Sequence, residues 1–141
     1  MKHEFEQKVF YSDTDAYGVV WHGSYLRWLE MGRCHWCEIA GHDLNDLAEN
    51  HDIVMPVVNL NIRYKSSARL GDVMIIDTVL AKFNSLSATF KQTIKSKVTE
   101  KIFIEAEVEV VAISNRGKLY RRMPDILADV FKKELECRVL V

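Results

Sequence analysis

The chain has 141 residues, 48% of them hydrophobic and 28% charged, with a formal net charge of -1. That length predicts one domain spanning 1–141, with apolar residues enough for a core. The balanced charge excludes a general nucleic-acid binder, which carries a basic excess, and the apolar runs fall far short of the ~20 residues that cross a bilayer. Met1-Lys2-His3-Glu4 opens a polar start with no apolar leader. A soluble, cytoplasmic protein without nucleic-acid or membrane partners is therefore expected.

Residues 4–11 read as a first strand. From His22 onward, Tyr25, Trp28, Leu29, Gly32, Trp36, Ile39 and Ala40 recur at steps of three and four, the period of a helix with one buried face. Gly41 is placed to end that helix in a left-handed cap. Gly32 on the apolar stripe predicts that another backbone passes close to the helix. Glu30 and Arg33, three apart, are expected to form a local ion pair. Cys34 and Cys37 have the spacing of a redox or zinc pair, but they lie mid-helix rather than at a helix start, where the dipole lowers a thiol pKa. No second ligand pair completes a four-ligand zinc site. With Cys137 the thiols are odd in number, which suits a reducing compartment. No metal and no cofactor are expected.

After about Asp52 the period changes to two. Leu60, Ile62 and Tyr64 alternate with Asn59, Asn61 and Arg63; Leu86, Ala88 and Phe90 alternate with Ser87, Thr89 and Lys91. Ile104, Ala106, Val108 and Val110 alternate with Glu105, Glu107 and Glu109. Such alternation marks antiparallel strands with one wet face. Val73 to Phe83 is partly apolar on both faces, which predicts a central strand or a partner contact. Arg69-Leu70-Gly71-Asp72, Asn84-Ser85 and Asn115-Arg116-Gly117-Lys118 supply turns. A short amphipathic helix is expected after Pro124. The order is thus strand, long buried helix, then at least four antiparallel strands, an α+β chain. One sheet covers only one side of such a helix, and open sheet edges are hazards, so a homo-oligomer is expected.

The stretch YSDTDAYGVVWHGSYLRWLE (11–30), followed by IRYKSSARLGD (62–72), resembles the 4-hydroxybenzoyl-CoA thioesterase family of the hotdog fold, including its bacterial acyl-CoA thioesterase branch. The resemblance runs over about residues 4–123 and rests chiefly on the D-x-D-x-x-G-V-V-W-H segment at a strand-to-helix turn. It implies a long central helix wrapped by a curved antiparallel sheet, assembly into dimers or tetramers, and a site at the dimer interface. It also implies that Asp15 is the reacting carboxylate, with His22 at the helix start and Tyr11 beside it. Ser24 stands where the family commonly has Asn, and Ser67 where it commonly has Pro.

The chemistry implied is hydrolysis of a thioester, which passes through a tetrahedral oxyanion and needs donors already aimed at it. A helix N-terminus presents unpaired N–H groups and positive dipole charge. The amides near His22, Gly23 and Ser24 are the candidates, with Gly23 letting a carbonyl approach its backbone. Asp15 would act as general base or as nucleophile. Asp13 is expected to be a turn or capping residue. Arg63, Lys65 and Arg69 are the candidates for the phosphates of the coenzyme. The expected substrate is an acyl-CoA, with an acyl carrier protein thioester as the alternative and a non-catalytic acyl-CoA-binding module as a third. The three tryptophans are expected in the core.

Overall fold

The computed structural model describes residues 3–139, so Met1 and Lys2 of the polar start lie outside it. Strand β1 (Glu4–Lys8) is followed by a 3-10 turn at Tyr11–Asp13, helix α1 (Ser24–Ile39) and helix α2 (Leu44–His51). Strands β2 (Val57–Tyr64), β3 (Val73–Phe83), β4 (Ser87–Ser96) and β5 (Ile102–Val111) lead to helix α3 (Asp125–Val139). The five strands form one antiparallel sheet in the order β1-β3-β4-β5-β2. This is the hotdog arrangement that the motifs imply. β3 is interior, flanked by β1 and β4, as its two apolar faces predict.

The alternation in sequence becomes the sheet's two faces. Met74, Ile76 and Leu80 of β3, Phe90 and Ile94 of β4, and Ile104 and Val108 of β5 are all buried. Against them α1 lays Tyr25, Trp28, Leu29, Gly32, Trp36 and Cys37. Each large side chain so buried contributes about 1.5–3 kcal/mol. Helix α3 closes the core through Phe131, whose ring lies 5.6 Å from Trp36 and 5.3 Å from Phe83. Among the described residues no helix is long and apolar enough to cross a membrane.

Several expectations are corrected. β1 stops at Lys8, and Phe10 to Asp13 turn away from the strand. The close neighbours of Gly32 are side chains rather than a backbone: an added Cβ would lie 2.6 Å from Thr78 Oγ1 and 2.8 Å from Gln92 Nε2. Arg33 donates to Gln92 Oε1 at 3.0 Å, and no hydrogen bond or ion pair among the described residues joins it to Glu30. Gln92 in turn donates to Leu29 O and Thr78 Oγ1, both at 2.8 Å, so a buried polar knot replaces the surface ion pair. Trp28 and Trp36 are core residues, but Trp21 is 52% exposed. Helix α2 was not anticipated. Asp43 caps it by accepting from the Asn45 amide, but only Leu47 is buried, too little apolar periodicity to read.

Candidate active site

Two bridges build the site. Thr14 pairs with Val20, which closes a tight turn holding Asp15, and Val19 pairs with Arg69. The Val20 amide donates to Ala68 O at 2.9 Å, while the Ala68 amide donates to the Tyr25 hydroxyl at 2.9 Å. The two sequence motifs, some forty residues apart, therefore meet at the start of α1.

Asp15 is half-buried within its turn. Its Oδ1 accepts the Tyr17 amide at 2.8 Å, and its backbone N–H donates to Val19 O at 2.9 Å. The other carboxylate oxygen has no hydrogen-bond partner among the described residues. One oxygen is held and the other is free for chemistry.

At the helix start, the Ser24 amide donates to Trp21 O at 2.9 Å, so it is not an open donor. The amides of His22 and Gly23 have no partner among the described residues, so of the three candidate donors these two remain open. The expectation for Gly23 also changes. The Trp21 indole lies over it, so that an added Cβ would come within 2.3 Å of Trp21 Cζ3. Gly23 lacks a side chain because an indole covers it.

His22 is exposed, and no hydrogen bond or ion pair among the described residues joins it to Asp15. Its ring lies 5.1 Å from the Trp21 ring and 6.4 Å from that of Tyr64. Tyr64 was missed in the sequence: its hydroxyl donates to His22 O at 3.2 Å, tying the end of β2 to the helix mouth. Its place in the second motif was the available signal. Tyr11 is 81% exposed, with its backbone carbonyl accepting from Thr14 Oγ1.

The three basic candidates differ. Lys65 is 3.3 Å from Glu105, and Arg63 shares a shallow surface depression with Glu105 and Glu107. Arg69 is exposed beside Val19; its backbone amide donates to Asp72 Oδ2 at 2.9 Å, and its guanidinium forms no ion pair among the described residues. Of the three it is the free cation nearest the Asp15 turn.

Cys34 and Cys37 are free thiols. Burial pushes the Cys37 thiol up to about 12 and raises that of Cys34, opposite to what a reactive pair requires. Among the described residues no cluster of three or more His, Cys, Asp or Glu is arranged to hold a metal. Glu30, on the exposed side of α1, lines a cavity of about 270 Å³ with Arg33, Cys34, Met55 and Phe90.

Residues 9–132 match the family model of the thioesterase-like superfamily. The acyl-CoA thioester hydrolase YbgC of Escherichia coli O6:H1 is 32% identical over 127 residues, covering 89% of this chain and 92% of the relative. A DHNA-CoA thioesterase of Staphylococcus aureus superposes with a TM-score of 0.85 at 25% identity, over 97% of this chain and 91% of that one. A 4-hydroxybenzoyl-CoA thioesterase complexed with 4-hydroxybenzoyl-CoA superposes at 0.80, over 90% and 96%; at 20% identity it speaks for the fold alone. With its hotdog sheet, its carboxylate turn and a match over most of its length, this chain belongs to the thioesterase-like superfamily.

Proposed function

We propose that the chain is a thioesterase hydrolysing an acyl-CoA to the free acid and coenzyme A, with Asp15 as the reacting carboxylate. The observation that carries this is the pairing of a half-free carboxylate with two unpartnered amides at one helix mouth. Water attacks the thioester carbon, and the amides of His22 and Gly23 take the developing oxyanion. Asp15 accepts the proton from the water; the C–S bond then breaks and the thiolate leaves with a proton. Attack by Asp15 itself, giving an anhydride that water opens, balances equally well. An acyl carrier protein presents the same thioester and would differ only in the surface it meets. Arg69 is the first candidate for the coenzyme's phosphates, followed by Lys65 and Arg63.

The assembly in this reading is a homodimer or a pair of dimers. β2 ends the sheet and is exposed along nearly its whole length, with Val58 55%, Leu60 39% and Tyr64 48% exposed. Such an edge is a template for a second strand, and because Tyr64 reaches His22, a partner there would wall the site. The three free thiols suit the reducing cytoplasm.

The test is thiol release from a panel of acyl-CoA and acyl carrier protein thioesters, with and without a chelator. Turnover of an acyl-CoA that the chelator leaves unchanged is expected. No release from any thioester would overturn the reading.

A further inference from the structure

Asp13 is the one buried carboxylate among the described residues, at 4% exposure, although it lies on a surface turn two residues from Asp15. Every acceptor it owns is used. Oδ2 takes the Phe10 amide at 2.9 Å, and Oδ1 takes the Arg27 guanidinium. Its backbone carbonyl takes both the Trp21 amide at 2.9 Å and the Ser24 hydroxyl at 3.1 Å. One residue thus ties the exit of β1, the residue before His22, the first residue of α1 and a side chain one turn further on. Asp15, His22 and Gly23 all lie between these anchors.

Arg27 is the unexpected member. It is the fourth residue of α1, where the helix dipole disfavours a cation, and its side chain is 58% exposed. Its one local contact is with the next residue, its guanidinium carbon lying 5.9 Å from the centre of the Trp28 ring, and that contact does not require a cation at the helix start. Asp13, fourteen residues back, does: without a cation its buried carboxylate would be uncompensated.

We propose that Asp13 and Arg27 form a positioning pair that sets the separation between the Asp15 carboxylate and the free amides of His22 and Gly23. Neither touches substrate. This rests on the reading of Asp15 as the reacting carboxylate. Loss of the cation drives the Asp13 carboxylate toward water, and its carbonyl, which holds Trp21 and Ser24, moves with it. A misplacement of about 1 Å can cost on the order of 10²-fold in rate. The binding surface for the acyl-CoA is left intact, so the loss falls on kcat rather than KM.

The experiment compares Arg27→Gln and Arg27→Lys with the wild type in kcat, KM and acrylamide quenching of tryptophan fluorescence, with Asp15→Asn as a control. Because Arg27 is exposed, both variants are expected to fold. Trp28 and Trp36 are buried, so quenching reads Trp21, whose amide Asp13 holds. Arg27→Gln is expected to lower kcat by roughly 10- to 100-fold at unchanged KM and to raise quenching. Arg27→Lys, which restores the charge, should recover most of both. Unchanged kcat and quenching in Arg27→Gln, a loss confined to thermal stability, or failure of Arg27→Lys to recover would each overturn the pairing. Wild-type turnover with an inactive Asp15→Asn shows that the functional reading stands whichever way Arg27 falls. If Asp15→Asn is active instead, that reading fails, and quenching alone decides the pair.

Discussion

Gly32→Ala is the sharpest probe of the helix–sheet contact, because it places one methyl group into the Thr78–Gln92 knot. The new Cβ would lie 2.6 Å from Thr78 Oγ1, 2.8 Å from Gln92 Nε2 and 3.0 Å from Ile76 Cγ2. Thr78 and Ile76 are 0% exposed and Gln92 1%, so none can retreat into solvent. Helix propensity favours alanine by about 1 kcal/mol. Overpacking costs ~1–3 kcal/mol, and breaking the Gln92–Thr78 hydrogen bond with its groups still buried costs ~1–3 kcal/mol more. The sum is a destabilisation of about 3 kcal/mol, or a fall of about 10 °C in Tm for a chain of this size. Urea denaturation followed by circular dichroism measures it. Adding Thr78→Ala removes the nearest atom, so the double variant should lose less than the sum of the two. A Gly32→Ala protein as stable as the wild type would refute the packing described.

Gly23→Ala should displace the Trp21 indole into water, with a stability cost within about 1 kcal/mol because the ring is half-exposed; a red-shifted emission and a lowered kcat check it. Burial holds the His3 imidazole below its ordinary 6.5, despite Glu134 at 3.3 Å. The unfolded chain then takes up the proton first, so stability should decline as pH falls below 6.5. Asp77, raised by burial, acts in the opposite sense. A His3→Gln variant should therefore show a shallower acid loss in urea midpoints at pH 7.5 and 5.5, all pH-independent costs aside. Among the basic residues, Arg69→Gln should raise KM more than Lys65→Gln, because Glu105 already neutralises Lys65; an unchanged KM in Arg69→Gln, Lys65→Gln and Arg63→Gln alike would make all three a solvated face. Leu60→Lys on the open edge of β2 should shift sedimentation from dimer to monomer and lower turnover together.

What was legible in the sequence was whatever repeats. The Glu105–Glu107–Glu109 alternation gave β5 its faces, and the aromatic stripe of α1 was read residue by residue because burial on one side imposes a period. The candidate site is a local motif in the sequence, with Asp15, His22 and Gly23 in one run. What was missed is non-local or lacks a period. The Arg27–Asp13 contact spans fourteen residues and the Tyr64–His22 bond forty-two, so no spacing rule announces either. Ser24 was judged by its departure from Asn, whereas its hydroxyl anchors the Asp13 carbonyl. The sequence predicts a passing backbone at Gly32 and a substrate carbonyl at Gly23, but side chains from β3 and β4 crowd Gly32 and the indole of Trp21, two residues back, covers Gly23. Arg33 was assigned its neighbour in sequence and found an amide on β4.

The most direct measurement is single-turnover hydrolysis of one acyl-CoA by Asp15→Asn beside Glu30→Gln. Glu30 is the fair rival, a carboxylate on α1 that lines a cavity. Asp15 lies on a turn whose amides its Oδ1 partly holds, and asparagine can keep that hydrogen bond while losing the base or nucleophile. Asp15→Asn should bind the acyl-CoA normally and slow the chemical step by ~10²–10⁴-fold, with Glu30→Gln within a few-fold of wild type. A near-normal rate for Asp15→Asn with an inactive Glu30→Gln would place the reacting carboxylate on the helix and contradict the site built here.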